Sequence, residues 1–395
     1  MAIYLDHAAT TPLRPEVLEA MLPFLTEAYG NASSVHSFGR KARAALDDAH
    51  ERIATRIGAE AREIVLTSGG TEALNLGLKG AAWAGKAHGH RIVTSSVEHH
   101  AVGHTLKHLE KFGFEVVELP VDRYGRVDPD QVDAAITDKT ILVAIMLANN
   151  EVGTIQPIAE IGGRVKKHRG VLFAVDAVQA APHLEIDVAA LGADLLVMSA
   201  HKFEGPKGVG ALYLRHGTHI LAQQQGGAQE RHRRGGTENV AGAVGMAAAF
   251  ELAVAERAET AKRLRRLRER LQKAVLAVDG AELTGHPKER LPGHLSLIGR
   301  DTDGAAVAMN LDLNGIASSV GSACTSGSTE VSHVLSAMGY PEEEARGALR
   351  LTLGRTTTEA EIEEASRIIP PVIASMRIGA AAVAADPLGQ GVGVA

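Results

Sequence analysis

Val171-Leu172-Phe173-Ala174-Val175-Asp176-Ala177-Val178-Gln179 and Leu195-Leu196-Val197-Met198-Ser199-Ala200-His201-Lys202 decide the fold. Each is a short apolar run that stops abruptly on polar residues. A continuous apolar run of this length, rich in branched side chains, fits a strand buried on both faces. The same pattern recurs at 63–67, 91–94, 141–146 and 210–214. Helical stretches separate most of these runs, for example 71–80 and 158–168. Buried parallel strands alternating with helices predict an α/β fold, a mostly parallel sheet with helices on both faces.

The pattern changes after about residue 250. Residues 251–278 predict a long amphipathic helix with a solvated charged face, carrying i,i+4 pairs such as Glu269 and Lys273. Shorter elements follow at 293–298, 302–311 and 359–377. The expected organisation is a large domain over 16–250 and a smaller α+β domain built from 1–15 and 251–379. The tail, 380–395, is rich in Ala, Gly and Val without a period and is expected to be disordered.

Bulk properties narrow the function. The chain has 395 residues, 45% of them hydrophobic, enough for a large core. A net charge of −6 argues against nucleic acid as the main partner. No run of eighteen apolar residues occurs, so no membrane span is expected. The start, Met1 to Asp6, has neither a basic segment nor a long apolar one, and a cytoplasmic location is expected. A single cysteine, Cys324, rules out an intramolecular disulfide.

In open α/β sheets, ligands bind beyond the carboxyl ends of the strands. There, Thr67-Ser68-Gly69-Gly70-Thr71-Glu72 leads into a helix. Its glycines permit a tight turn, and the first helical N–H groups with the hydroxyls form an anion cup, although an ordinary capped turn has the same composition. Asp176 ends a buried strand, which is costly unless it caps a helix or meets a cation such as a protonated pyridine nitrogen. Lys202 follows a buried strand in a Gly/Pro-rich loop, where desolvation lowers an amine pKa and suits it to a Schiff base; Lys207 is expected at the surface. His99 sits at the strand-end mouth. His100, His104 and His108 have the i,i+4 spacing of a metal site, but no carboxylate joins them at matching spacing, so we read one exposed helix face and expect no metal. An anion cup, an Asp and a Lys, in this order at strand ends, match the phosphate, ring nitrogen and aldehyde of pyridoxal 5'-phosphate, PLP.

Further motifs surround this set: Tyr4-Leu5-Asp6-His7-Ala8-Ala9-Thr10-Thr11-Pro12, Gly30-Asn31-Ala32-Ser33-Ser34-Val35-His36, Glu98-His99, Asn149-Asn150-Glu151-Val152-Gly153, Arg234-Gly235-Gly236-Thr237, Gly321-Ser322-Ala323-Cys324 and Leu349-Arg350-Leu351-Thr352-Leu353-Gly354-Arg355. With them the sequence resembles the cysteine desulfurases of the NifS/IscS kind, fold-type I PLP-dependent transferases of the class V aminotransferase group. The resemblance runs over 4–358. It implies a seven-stranded main sheet and a homodimer. It also implies that Lys202 binds the PLP aldehyde, Asp176 the pyridine nitrogen, and Gln179 the ring O3′, with Asn150 near O3′ and the substrate carboxylate. His99 stacks on the ring and acts as acid or base. Gly70, Thr71, Ser199 and His201 bind phosphate, joined by Thr237 from the partner subunit. Arg350 grips the substrate carboxylate with help from Asn31, and Arg355 is the nearby alternative. Two positions depart from the family pattern: His7 stands where most relatives have Asn, and Gly70 where Ala is frequent.

Ser318 to Thr329 is a Ser/Gly/Thr run, which predicts a mobile exposed loop and a reactive rather than structural Cys324. The expected reaction removes sulfur from L-cysteine, giving L-alanine and a persulfide on Cys324, which passes to an acceptor such as an iron–sulfur scaffold protein. An aminotransferase or a selenocysteine lyase of the same fold is the nearest rival, and an aminotransferase needs no cysteine in such a loop. An inactive sulfur-relay protein would not need Lys202 and Asp176. A Rossmann dehydrogenase would need Gly-x-Gly-x-x-Gly after the first strand, which is absent.

Overall fold

The computed structural model describes residues 2–321 and 331–377. Cys324 and the 380–395 tail lie outside the described residues.

The described strands are β1 (Ile3–Tyr4), β2 (Ile64–Thr67), β3 (Arg91–Ser95), β4 (Glu115–Leu119), β5 (Thr140–Met146), β6 (Leu172–Asp176), β7 (Leu195–Ser199), β8 (Gly210–Leu214), β9 (Ala281–Leu283), β10 (His294–Gly299), β11 (Ile316–Ala317) and β12 (Ala348–Thr352). Seven of them form the main sheet in the order β2-β8-β7-β6-β5-β3-β4. The pairs among β3 to β7 are parallel, as expected. The run at 210–214 differs from expectation: β8 lies antiparallel to both β7 and β2. The link from β7 to β8 spans only residues 200–209. That is too short for the crossover that a parallel neighbour requires. The edge strand β4, Glu-Val-Val-Glu-Leu, was not evident as a buried run because its glutamates face solvent. Charged side chains of this kind protect a sheet edge.

Side chains alternate across the sheet. Val143, Ile145, Phe173 and Val175 point to one face, where α1 (Pro15–Thr26) and α2 (Ser37–Thr55) contribute Val17, Leu46 and Ile53. Leu142, Ala144 and Ala174 point to the other, against Leu74 and Leu78 of α3 (Gly70–Gly85) and Val102 and Leu106 of α4 (His100–Glu110). Every residue of β5 is buried, as a central strand of a two-faced sheet requires.

The helix expected from residue 251 begins at Val240, capped by Asn239, and runs 36 residues to Val275. Its first part, rich in Ala and Gly, is buried nearly all round, so it carries no amphipathic period. Gly245 permits close packing there, since a Cβ would lie 2.5 Å from Met21 Sδ on α1. Its second part supplies Leu264, Leu267 and Leu271 to a separate core with Leu295, Leu297, Leu349, Leu351 and the C-terminal helix Glu359–Ser375. One continuous helix therefore walls both cores. The β12-β10-β9 sheet is antiparallel, and β1 pairs with β11. The chain start is thus stitched to the second core before it crosses the end of the main sheet.

Phe173, fully buried in β6, tests the main core. Phe173→Ala is expected to lower unfolding free energy by ~3–5 kcal/mol through the cavity it leaves. Urea denaturation followed by circular dichroism would measure the loss.

Candidate active site

The carboxyl ends of β3, β5, β6 and β7 converge on a cavity of about 1150 Å³ that opens to solvent. Each strand exits on a different chemical group. Asp176 is the last residue of β6 and is 8% exposed. Its Oδ1 accepts from the Val178 N–H at 2.9 Å. Burial pushes the Asp176 carboxyl up to about 6, against the pull of that N–H and of the Lys202 charge.

Beyond β7, the single 3-10 turn Ala200–Lys202 turns two side chains toward residues 8–10. Lys202 Nζ donates to the carbonyl oxygens of Ala8 at 2.6 Å and Ala9 at 2.8 Å. Gln179 Nε2 donates to the same Ala8 oxygen at 2.9 Å. His201 Nδ1 lies 3.1 Å from Thr10 Oγ1, and burial holds this imidazole down to about 4. Lys207 is exposed, as expected.

The anion cup forms as the sequence suggests. Gly69 precedes α3 at φ +153°, a conformation that disfavours other residues, and the α3 N-terminus opens onto the cavity through Gly70 and Thr71, with Ser199 opposite. At Gly70 a Cβ would lie 3.0 Å from Val178 Cγ2, so glycine here relieves the tight approach of α3 to the loop after β6. His99 caps α4: its Nδ1 accepts from the Ala101 N–H at 3.1 Å. Burial, and next the Lys202 charge, hold the His99 imidazole down to about 4, so it is neutral at pH 7 with its proton on Nε2.

Across the cavity stands Arg350, 2% exposed on β12. Its Nη1 donates to the Asn150 carbonyl at 2.9 Å and its Nη2 to Asp6 Oδ1 at 2.9 Å. Its Nε has no hydrogen-bond partner among the described residues. Arg355, the alternative, lies on a second cavity of about 730 Å³ behind Lys202, where its Nε donates to Glu204 Oε2 at 2.6 Å.

The structure thus brings together Gly70, Thr71, His99, Asn150, Asp176, Gln179, Ser199, His201, Lys202 and Arg350. It leaves two others apart. Asn31 is exposed and its Oδ1 accepts from the Ser33 N–H at 2.8 Å; it does not line this cavity. Thr237 is exposed beside Thr67 and Ser68 on a different cavity.

Three further polar side chains line the cavity: His100, Glu151 and His333. His100 was assigned to an exposed helix face, yet it is the first residue of α4 and turns into the cavity, 5.1 Å from the His104 ring and 4.7 Å from the His333 ring. Glu151 is 3% exposed; its Oε2 accepts from Ser332 Oγ at 2.5 Å and its Oε1 lies 4.0 Å from His333 Nδ1. The signal for Glu151 was its place in Asn149-Asn150-Glu151, directly after a buried strand. His333 had no such signal.

These residues fit PLP. A carboxyl buried at a strand end suits a cationic ring nitrogen, a helix N-terminus with adjacent hydroxyls suits a phosphate, and the lysine stands on the same wall. Among the described residues, no helix is long and apolar enough to cross a membrane.

Comparison with known proteins agrees. A family model described as aminotransferase class-V matches residues 3–364. A cysteine desulfurase IscS from Methanosarcina thermophila is 49% identical over 376 residues, 95% of this chain and 93% of the relative. One from Dictyoglomus turgidum is 48% identical, covering 95% of each chain. A solved NifS-like protein superposes with a TM-score of 0.90 at 38% identity, covering 95% of this chain and all of its own. The structure described as SspA in complex with cysteine gives 0.80 at 34% identity, covering 89% and 98%. Likeness of this extent, over nearly the whole length, makes the chain a member of the class-V aminotransferase family and of the PLP-dependent cysteine desulfurases within it.

Proposed function

We propose that this chain takes sulfur from L-cysteine, releases L-alanine, and carries the sulfur as a persulfide on Cys324 to an acceptor protein such as an iron–sulfur scaffold. One observation carries the reading: Lys202, Asp176 and Arg350 line a single cavity at the strand ends. PLP, when bound, draws electrons from the amino acid joined to it, so that the substrate's bonds to Cα and Cβ become labile.

The residues around it have separable tasks. Lys202 holds the cofactor aldehyde. Asp176 supports a positive ring nitrogen, for which a buried carboxyl is suited. Gln179 and Asn150 attend O3′. Gly70, Thr71, Ser199 and His201 hold the phosphate, and Thr237, which lines no part of its own chain's cavity, completes the phosphate site of a second copy in a homodimer. His99 stacks on the ring and exchanges with substrate the proton carried on Nε2, because Nδ1 is engaged by the Ala101 N–H. Arg350 binds the substrate carboxylate, with Asn31 as its helper; a guanidinium suits this by its planar fork. The Cys324 thiolate attacks the substrate sulfur. The S–S bond forms as the C–S bond breaks, and the bonding pair stays with the β-carbon, which takes up a proton to become the methyl group of alanine.

The same reading gives the cofactor to a domain over 16–250 and the cysteine loop to a smaller domain of 1–15 and 251–379, in a cytoplasmic enzyme. Hydrophobic clusters that fall within each part support the division, although a further cluster packs Val97 and Val152 against Ile298, Val334 and Leu335, and the boundary at 250 falls inside the continuous helix Val240–Val275.

Holoenzyme incubated with L-cysteine and a reductant is expected to form alanine and sulfide in equal amounts; no alanine would refute the reading. Lys202→Ala is expected to lose the bound-cofactor absorption and all turnover. Cys324→Ala should retain that absorption and its shift on adding cysteine, yet release no sulfide. Arg350→Lys keeps the charge and loses the fork, and the expected rise in KM for cysteine is ~10- to 100-fold, matching a lost charge-assisted hydrogen bond of about 1.5–3 kcal/mol. Steady-state kinetics would read it.

A further inference from the structure

Glu98 is the third residue after β3 and is 4% exposed. It lines a narrow apolar crevice that shares Leu74 and Asp176 with the cofactor cavity. Only Glu98 and Asp176 bring polar side chains to its lining; α3, α4, β5, β7 and β8 bring apolar groups alone. Two donors reach Glu98, and both go to the same oxygen: Ser95 Oγ at 2.6 Å and the Met146 N–H at 3.0 Å reach Oε1. Oε2 is buried without a hydrogen-bond partner among the described residues. The imidazole that approaches Glu98, that of His333, donates from Nε2 to the Glu98 backbone carbonyl at 2.9 Å rather than to its carboxylate.

Burial disfavours ionising both carboxyls on one apolar crevice, and the surroundings decide which of them keeps a proton. Asp176 also lines the large cavity, which opens to solvent and holds the Lys202 ammonium. Glu98 lines the apolar space only.

We propose that Glu98 is a positioning residue of the PLP site: it stays a neutral carboxylic acid behind Asp176, and so leaves the pair's single negative charge on Asp176, where the ring nitrogen needs it. The inference rests on the assignment of Asp176 to that nitrogen. Burial, opposed by the two donors and reinforced by the Asp176 charge, pushes the Glu98 carboxyl up to about 8. Lys202 is the charged group that faces Asp176, and the pyridine nitrogen would be a second when PLP is bound. A neutral Glu98 means the ring nitrogen meets one carboxylate at neutral pH and two above about pH 8.

Infrared spectroscopy of the holoenzyme tests this. The carbonyl stretch of a protonated carboxylic acid is expected at pH 7. It should shift when glutamate carboxyls are labelled with ¹³C, stay put when aspartate is labelled, and vanish in Glu98→Gln. In wild type it should fade as pH rises through about 8. Because the native chain holds this proton far above the ordinary carboxylate pKa of about 4.3, the stability it confers is full below that value and is lost on raising pH through the native one. The melting temperature of wild type should therefore fall relative to Glu98→Gln across that window and keep a constant offset above it. Absence of the band at pH 7, or its assignment to aspartate, overturns the proposal. Should Glu98→Gln not fold, the labelled wild-type titration decides alone. Failure of the parent assignment would look different: Asp176→Asn would then bind PLP normally, whatever the state of Glu98.

Discussion

The ammonium of Lys202 and the carbonyl oxygens of Ala8 and Ala9 form the contact on which the site depends. A lysine just past the end of a buried strand must find acceptors, and the chain start supplies two of them by passing over the strand ends. Its path is fixed from both sides: Thr352 Oγ1 accepts from the Ala8 N–H at 2.9 Å, and the His201 carbonyl accepts from the Thr11 N–H at 3.0 Å and from Thr11 Oγ1 at 2.8 Å. Residues 8–11 therefore join the antiparallel sheet of the second core to the loop after β7. The wall they build separates the large cavity from the smaller one behind it, and Ala8, Gln179 and Lys202 belong to both.

Around that wall, function comes from ionisable groups held where water is scarce. Desolvation is the largest influence on Asp176, His99 and His201 alike, and it acts in opposite senses: it raises the acid and lowers the imidazoles. The imidazoles are thereby neutral at physiological pH, able to lie against a cofactor ring and a phosphate without adding charge. Positive charge is left to Lys202, Arg350 and the helix N-terminus, which line the cavity at separate places.

How much of this the sequence shows depends on the residue. Asp176 and Lys202 were legible because an ionisable group at the end of an unbroken apolar run is anomalous, and anomalies of that kind mark sites. The direction of β8 was not, since an apolar run carries no sense of polarity; only the short 200–209 link does. The start of the helix at Val240 was hidden because its first turns are buried all round and show no period. His100 and His104 share a spacing and a residue type, yet one lines the cavity and the other is exposed. What separates them is their height on α4, and spacing alone does not report how a helix meets a sheet end. Asn31 and Thr237 were named from family likeness, and the fold of one chain leaves both outside its cavity.

The choice between Arg350 and Arg355 shows how the fold resolves what proximity in sequence leaves open. Both are arginines near the end of one strand. Arg355 enters a network in which Glu204 also meets Arg14 at 3.4 Å and Arg14 meets Glu256 at 2.6 Å, so its charge is matched within the protein. Arg350 faces the opposite way, into the cofactor cavity. Among the described residues Asp6 is its one ion-pair partner, and its Nε–H has none. A guanidinium buried to that degree with a donor to spare is costly, and the cost is offset when an anion arrives to accept from it. A carboxylate bound there would complete the hydrogen bonding of the arginine. Of the two arginines, Arg350 is thus the one that the fold leaves with a buried donor facing the cofactor cavity.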